Sequence, residues 1–393
     1  MNTTETMTVN EITHDHLAAA VAAAVKFCPG ARCPKPVLQT VLVRCDDDGT
    51  TATATDLEHR IIVRLPGGSG RGVALVPATA AKAMAKAGGG VRFSGETVSA
   101  AGVTAPMDDP MEYPCHPLCE LPPSAVLRFD HVEMIAKAVA PATDNESSRF
   151  ALGGIQLETE AGRVLAIGTD GRRLHLVKSP SIMPVGEPLN VIAFPVVFSG
   201  LVKAVRSIGR DVLGLRGKRL EDALASSAVE IRRSVCDRMI ELRWTGAGVI
   251  VAVQGREIEG RFPRWRDVFP EGCFHNGGTI TLRVADALDQ MKAAKRVEPE
   301  MAKGVTFADG QVSAGHKSSG TFAAPVAGEM NCPAIKLDPS FVADALAAAD
   351  TVAGCPMALF RVSDDRSPVF IHANGGHGGD AILHIVIMPL AAD

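Results

Sequence analysis

At 393 residues with a 46 % hydrophobic fraction, the chain is too long for one ordinary domain and can fill two or three cores. A formal net charge of -4, with 21 % charged residues, excludes a globally basic nucleic-acid binder and an acidic tail protein. Aromatics at 4 % argue against base-stacking platforms, so any nucleic-acid contact must concentrate its cations on one face.

The opening residues, MNTTETMTVNEITHDH, lack the basic start and apolar run of a signal peptide. The nine irregularly spaced cysteines then read as reduced thiols, and a cytoplasmic location is expected. No run of about 18 apolar residues predicts a membrane span.

The first helix candidate is DHLAAAVAAAVKF (residues 15–27). After it, ATDLEHRIIV (54–63) predicts a Thr-Asp turn feeding a strand. VALVPATAAKAMAKAG is an apolar run that stops at Pro77 and turns helical, followed by a hairpin at 91–101. The same series returns: a helix at 130–140, a Thr-Asp turn in GTDGRRLHL (168–176), a helix after Pro195 and a hairpin at 239–253. A third pass has a helix at 284–297, the strand pair GVTFADGQVSAGHK (304–317) without Thr-Asp, a helix capped by Asp338 before Pro339, and a hairpin at 358–373. A period above 100 residues means repeated domains. Pro-rich phrases at 113–124 and 269–278 mark the joints, giving domains at 1–124, 125–272 and 273–393. Residues 210–238 look like an addition, a loop with a short helix.

Asp56 and Asp170 are the candidate carboxylate pair for an enzyme, but duplication puts each in its own domain, too far apart for acid–base work. No phosphate loop, Gly-x-Ser-x-Gly or His-Glu-x-x-His is present. CPGARC and CHPLC have metal-like spacing, yet neither has a matching second pair. NGGHGGD (374–380) reads as a long hairpin turn. No cofactor or metal is expected.

On this repeat sit RCPKPVL (32–38), TDLEHRIIVR (55–64), SSRFALGGIQLE (147–158), GTDGRRL, GRFPRWRDVFP (260–270) and IVIMPL (385–390). Together, in this order, they resemble the bacterial sliding clamps, the beta subunits of DNA polymerase III. The resemblance implies an α+β fold of three clamp domains per chain. It implies two chains in a six-domain ring, helices inside and sheets outside. It further implies a homodimer without catalysis that encircles double-stranded DNA. Its partners would be the polymerase III alpha subunit, the clamp loader and other proteins with the clamp-binding motif. By position, the peptide groove would use Leu152, Thr169, Gly171, Arg172, Arg173, Leu174, Pro263, Val268, Val386, Met388, Pro389 and Leu390. Flexible Met388 and Leu390 would adapt to different peptides, and both arginines would offer donors. DNA would meet Arg32, Lys82, Lys86, Lys137, Arg149, Lys203 and Arg206. The six helix candidates carry a small positive excess, which suits a weak sliding contact.

Three features depart from the family pattern: Asp267 replaces a basic residue, the tail ends PLAAD, and Arg296-Val297 stand where two apolar residues are expected near the subunit seam. The tail, Arg296-Val297 and the extra stretch 210–238, longer than the family needs, keep a second reading open, a clamp-fold protein that binds partners outside replication.

Overall fold

The computed structural model describes residues 10–30, 32–94, 96–114, 117–144, 150–183, 187–297, 304–316, 320–354, 356–374 and 380–391. It repeats one element series three times. The first pass is β1 (Asn10–Ile12), α1 (Leu17–Ala24), β2 (Thr40–Asp46), β3 (Gly49–Thr55), β4 (His59–Leu65) and β5 (Gly72–Pro77). It closes with α2 (Ala78–Ala87), β6 (Val91–Phe93), β7 (Thr97–Ala100) and β8 (Val103–Pro106). The second is β9 (Ala125–Arg128), α3 (Phe129–Met134), β10 (Ile155–Glu160), β11 (Arg163–Thr169), β12 (Arg173–Pro180) and β13 (Asn190–Ala193). Then come α4 (Pro195–Asp211), the additional α5 (Gly217–Ala225), β14 (Ala228–Ser234), β15 (Met239–Gly246) and β16 (Val249–Arg256). The third is β17 (Gly278–Arg283), α6 (Val284–Val297), β18 (Val305–Ala308), β19 (Gln311–His316), β20 (Gly320–Pro325), an extra β21 (Gly328–Asn331) and β22 (Ile335–Leu337). It ends with α7 (Pro339–Ala353), β23 (Met357–Val362), β24 (Val369–Asn374) and β25 (Ile382–Ile387).

Two compact units result. One comprises residues 1–132 and 196–257, the other 133–195 and 258–393. The first contains an eight-stranded sheet, β5-β2-β3-β4-β16-β15-β14-β9, and a four-stranded one, β1-β6-β7-β8. The second contains a nine-stranded sheet, β13-β10-β11-β12-β25-β24-β23-β17-β21, and a four-stranded one, β20-β19-β18-β22. The long sheets arise because the fourth strand of one repeat pairs antiparallel with the last strand of the next. β4 pairs with β16, and β12 pairs with β25.

Local chemistry explains the elements. β4 and β12 each bury four consecutive residues, as strands covered on both faces do, and alanine lets α1 pack closely while favouring helix. Asp338 caps α7 by accepting the Ser340 N–H at 2.8 Å, with Pro339 in the first turn. The predicted helix at 130–140 changes pitch: α3 gives way to a π-helical turn, Ile135–Val139, and a 3₁₀ turn, Ala140–Ala142.

Two expectations are corrected. The hairpin at 239–253 is β15–β16, the last two strands of its repeat, whereas the hairpins at 91–101 and 358–373 are β6–β7 and β23–β24, one strand earlier. The polar run around Arg232 and Arg233 hid β14, which pairs with β9 and β15. The addition is therefore shorter than residues 210–238: it is α5 with its connections, ahead of β14.

Candidate peptide groove and basic helices

The two Thr-Asp turns are built alike. Asp56 Oδ1 accepts the Glu58 and His59 amides at 3.0 and 2.6 Å, while Asp170 Oδ1 accepts those of Arg172 and Arg173 at 2.9 Å each. Thr55 Oγ1 donates to His59 O at 2.7 Å, and Thr169 Oγ1 to Arg173 O at 2.6 Å. The third residue of each turn is left-handed: φ is 82° at Leu57 and 85° at Gly171. The carboxylates are turn-formers, and the echo in the sequence is a duplicated structural device.

Beyond its turn, Arg173 is committed. Its Nε–H donates to Asp170 at 3.0 Å, and its terminal nitrogens donate to Asp344 of α7 and to Pro141 O, both at 2.5 Å. The guanidinium lies 4.3 Å from the Phe341 ring centre, and the side chain is 9 % exposed. This corrects the expectation of two free arginine donors. Arg173 braces this turn against α7, and Arg172, about half exposed, also reaches over Phe341 and lies 3.9 Å from the Asp338 carboxylate. Arg172 O accepts the Met388 N–H at 2.9 Å, fixing the end of β25 beside the turn.

A cavity of about 800 Å³ is walled by Ala151, Leu152 and the segment from Glu259 through Pro263 to Arg264, so of the expected groove residues it brings together Leu152 and Pro263. Phe262 of this wall packs on a cluster containing Leu174, Leu176, Trp265, Phe370 and Val386. Leu174 and Val386 face each other across β12 and β25 and are buried in that cluster; they do not line the cavity and meet it only through Phe262. Thr169 is buried, Met388 and Val268 are exposed apolar groups, and Gly171 and Pro263 are exposed. Pro389 and Leu390 are half-buried, and the Leu390 N–H reaches Lys336 O at 2.8 Å. Trp265 and Phe341 were not assigned from sequence; the tryptophan inside GRFPRWRDVFP was the available signal. Trp265 Nε1 donates to Glu158 at 3.1 Å, and Arg266 stacks on its ring while pairing with Glu158 and Glu160.

The matching seam in the other unit is polar. Arg60 and Gln254 stand where Leu174 and Val386 do, paired across β4 and β16. Arg60 donates to Gln254 and to Pro114 O, both at 3.1 Å. Gln254 Nε2 donates to Pro117 O at 2.9 Å and to buried Glu241 at 2.7 Å, which also accepts the Cys119 N–H. Leu118 lies on Ile62 and Ala252. Here Pro114, Pro117 and Cys119 are held by a buried hydrogen-bond network.

Of the proposed DNA contacts, Arg32, Lys82, Lys86 and Lys203 are exposed and have no ion-pair partner among the described residues. Lys137 pairs with Glu133 at 2.8 Å, one helical turn away. Arg206 is gripped by both carboxylate oxygens of Glu221 on α5, at 2.7 and 2.8 Å. A single-helix count of cations could not foresee these partners. Arg149 lies outside the described residues. In CPGARC, burial pushes the Cys28 thiol up to about 12 against the opposing pull of Lys82, so it stays protonated and is a poor metal ligand.

Among the described residues, no helix is long and apolar enough to cross a membrane. No protein-family model matches the chain. No curated protein matches it in sequence. Solved structures do. The DNA polymerase sliding clamp from Bacillus subtilis superposes with a TM-score of 0.77 at 16 % identity, covering 99 % of this chain and 100 % of that one. The beta subunit from DNA polymerase of Streptococcus pyogenes gives 0.78 at 13 % identity, over 98 % and 100 %. The DNA polymerase III subunit beta from Pseudomonas aeruginosa gives 0.75 at 17 % identity, over 98 % and 100 %. The chain has the sliding-clamp fold along its whole length.

Proposed function

We propose that this chain is the subunit of a DNA sliding clamp, a non-catalytic processivity factor of the cytoplasm. Two copies close a six-domain ring around duplex DNA. The groove at 152–174, 263–268 and 386–390 tethers the polymerase III alpha subunit, the clamp loader and other motif-bearing proteins.

The pairing rule within the chain carries this reading. The fourth strand of repeats one and two joins the last strand of the following repeat. By the same rule β20 lacks a successor and β8 lacks a predecessor, and each lies at the edge of its four-stranded sheet. Free strand edges invite pairing, and a head-to-tail contact used twice closes a ring. Three clamp domains at 1–124, 125–272 and 273–393 fit this rule, since sheets that run across domain seams leave the central domain's strands shared between two compact units.

The peptide reading is supported by an 800 Å³ opening lined by Leu152 and Pro263, whose wall residue Phe262 packs on the apolar cluster of Leu174 and Val386, and by the exposed apolar side chains of Met388 and Val268. The first experiment is the mass in solution, expected at twice 41.2 kDa. The second is fluorescence anisotropy of a labelled Gln-Leu-x-Leu-Phe peptide. Saturable binding weakened by Met388→Ala and Val268→Ala supports the groove. Leu174 is unsuitable for truncation because it is buried. A lone chain that binds no peptide refutes the proposal. A lone chain that does bind supports the second reading, a clamp-fold module outside replication, which the neutralised Arg206 and exposed Arg296 favour.

A further inference from the structure

The added helix α5 has no counterpart in the other two repeats, and the groove does not use it. It folds back on α4 as a helical hairpin. Leu215 N–H bonds to Gly209 O at 2.9 Å, and Leu220 and Leu224 are buried. A Cβ at Gly209 would sit 2.5 Å from Leu220 Cδ1, so glycine there allows the close approach. Glu221 clasps Arg206, which lies between Lys203 and Arg210 on one stripe of α4.

The charges of α5 do not serve the helix itself. Arg216, Lys218 and Arg219 crowd its first turn, with no acid and no side-chain cap. The helix dipole disfavours cations at that end. All three are exposed, as are Lys203 and Arg210, and none of the five has an ion-pair or hydrogen-bond partner among the described residues. Three acids, Asp211, Glu221 and Asp222, share this exposed surface, Glu221 being the partner of Arg206. An acidic chain thus spends an added helix on one concentrated basic patch, continuous with the stripe on α4.

We infer that the α4–α5 hairpin is a phosphate-backbone contact for duplex DNA, with Arg216, Lys218 and Arg219 supplying charge that the Arg206–Glu221 pair withdraws. This rests on the clamp reading and adds a contact the other two repeats lack. Unpaired flexible cations on an exposed helix suit a sequence-independent, salt-sensitive contact.

The test is anisotropy of a labelled 50-base-pair duplex titrated with the full chain at several salt concentrations. The variants are Arg216→Ala/Lys218→Ala/Arg219→Ala, whose alanines favour helix, and Lys82→Ala/Lys86→Ala. Three lost contacts lower the slope of log K against log salt by about 2.7, so a fourfold rise in salt weakens wild type about 40-fold more than the α5 variant. That outcome, with unchanged mass and circular dichroism, supports the inference. Wild-type binding that falls only in the Lys82/Lys86 variant overturns the α5 contact and leaves the clamp reading standing. No wild-type binding at low salt overturns both.

Discussion

His175 offers the sharpest test of the packing under the groove. It lies on β12, fully buried, with ring Nδ1 2.6 Å from Ala138 O in the π-helical turn. Nε2 has no partner among the described residues, so a second proton there would be buried without an acceptor. Burial lowers the imidazole from 6.5 to about 4, outweighing the carbonyl of Ala138. The unfolded chain therefore takes up a proton first as pH falls. Stability from the neutral ring is complete above pH 6.5 and is lost on the way down to about 4. Linkage over that shift gives about 3 kcal/mol in all, of which about 2 kcal/mol disappears between pH 7 and 5. His384, held at about 3 by burial and by nearby Lys178, loses stability in an overlapping window, so a difference measurement is needed. His175→Asn keeps a donor near Ala138 O and removes the titration. In a Trp244→Phe background, Trp265 reports urea unfolding of its own unit. The Asn variant is expected to be weaker than wild type at pH 7, and the gap is expected to narrow by about 2 kcal/mol at pH 5. Parallel stability curves across this range would refute the argument.

Leu57→Gly should stabilise the first Thr-Asp turn by about 1 kcal/mol in urea titrations, because φ of 82° strains a leucine that is 39 % exposed. Gly168→Ala should be among the most damaging small substitutions in the sheet, since its Cβ would meet Val139 O at 2.7 Å; thermal unfolding would show a drop of several degrees. Arg173→Lys cannot reproduce contacts to Asp170, Asp344 and Pro141 together, so a loss of about 1–3 kcal/mol and weaker peptide anisotropy are expected. If Arg173→Lys weakened the peptide while leaving stability intact, the bracing role would be wrong.

The repeat was legible because its signals are local: proline at the start of α4 and α7, the N-cap at Asp338, and a turn made by Thr-Asp within five residues. β14 was missed because AVEIRRS presents Arg232 and Arg233 at inward-and-outward positions that blur the alternation; both side chains are held by acids, Glu230 and Glu257. The resemblance pointed to Leu152, Leu174, Pro263 and Val386 together, but burial was not readable: Leu152 and Pro263 line the cavity, whereas Leu174 and Val386 are core. Leu174 and Val386 became neighbours in the core only once β12 met β25 across more than 200 residues of chain. The fate of Arg173 and Arg206 depended on acids from other helices, Asp344 and Glu221, which spacing in sequence cannot reveal.

The polar seam at Arg60 sets a stoichiometry. A ligand entering there would have to displace Pro114, Pro117 and Cys119 and strip buried Arg60, Gln254 and Glu241 of their partners. Leaving such charges unpaired costs several kcal/mol, more than a short peptide's contacts return. At Leu174 and Val386 no such debt exists, because hydrocarbon has no hydrogen bonds to lose. Duplication supplied two like seams, and substitution at two facing positions plugged one with the chain itself. Each chain should therefore titrate with one peptide equivalent, and a closed pair of chains with two.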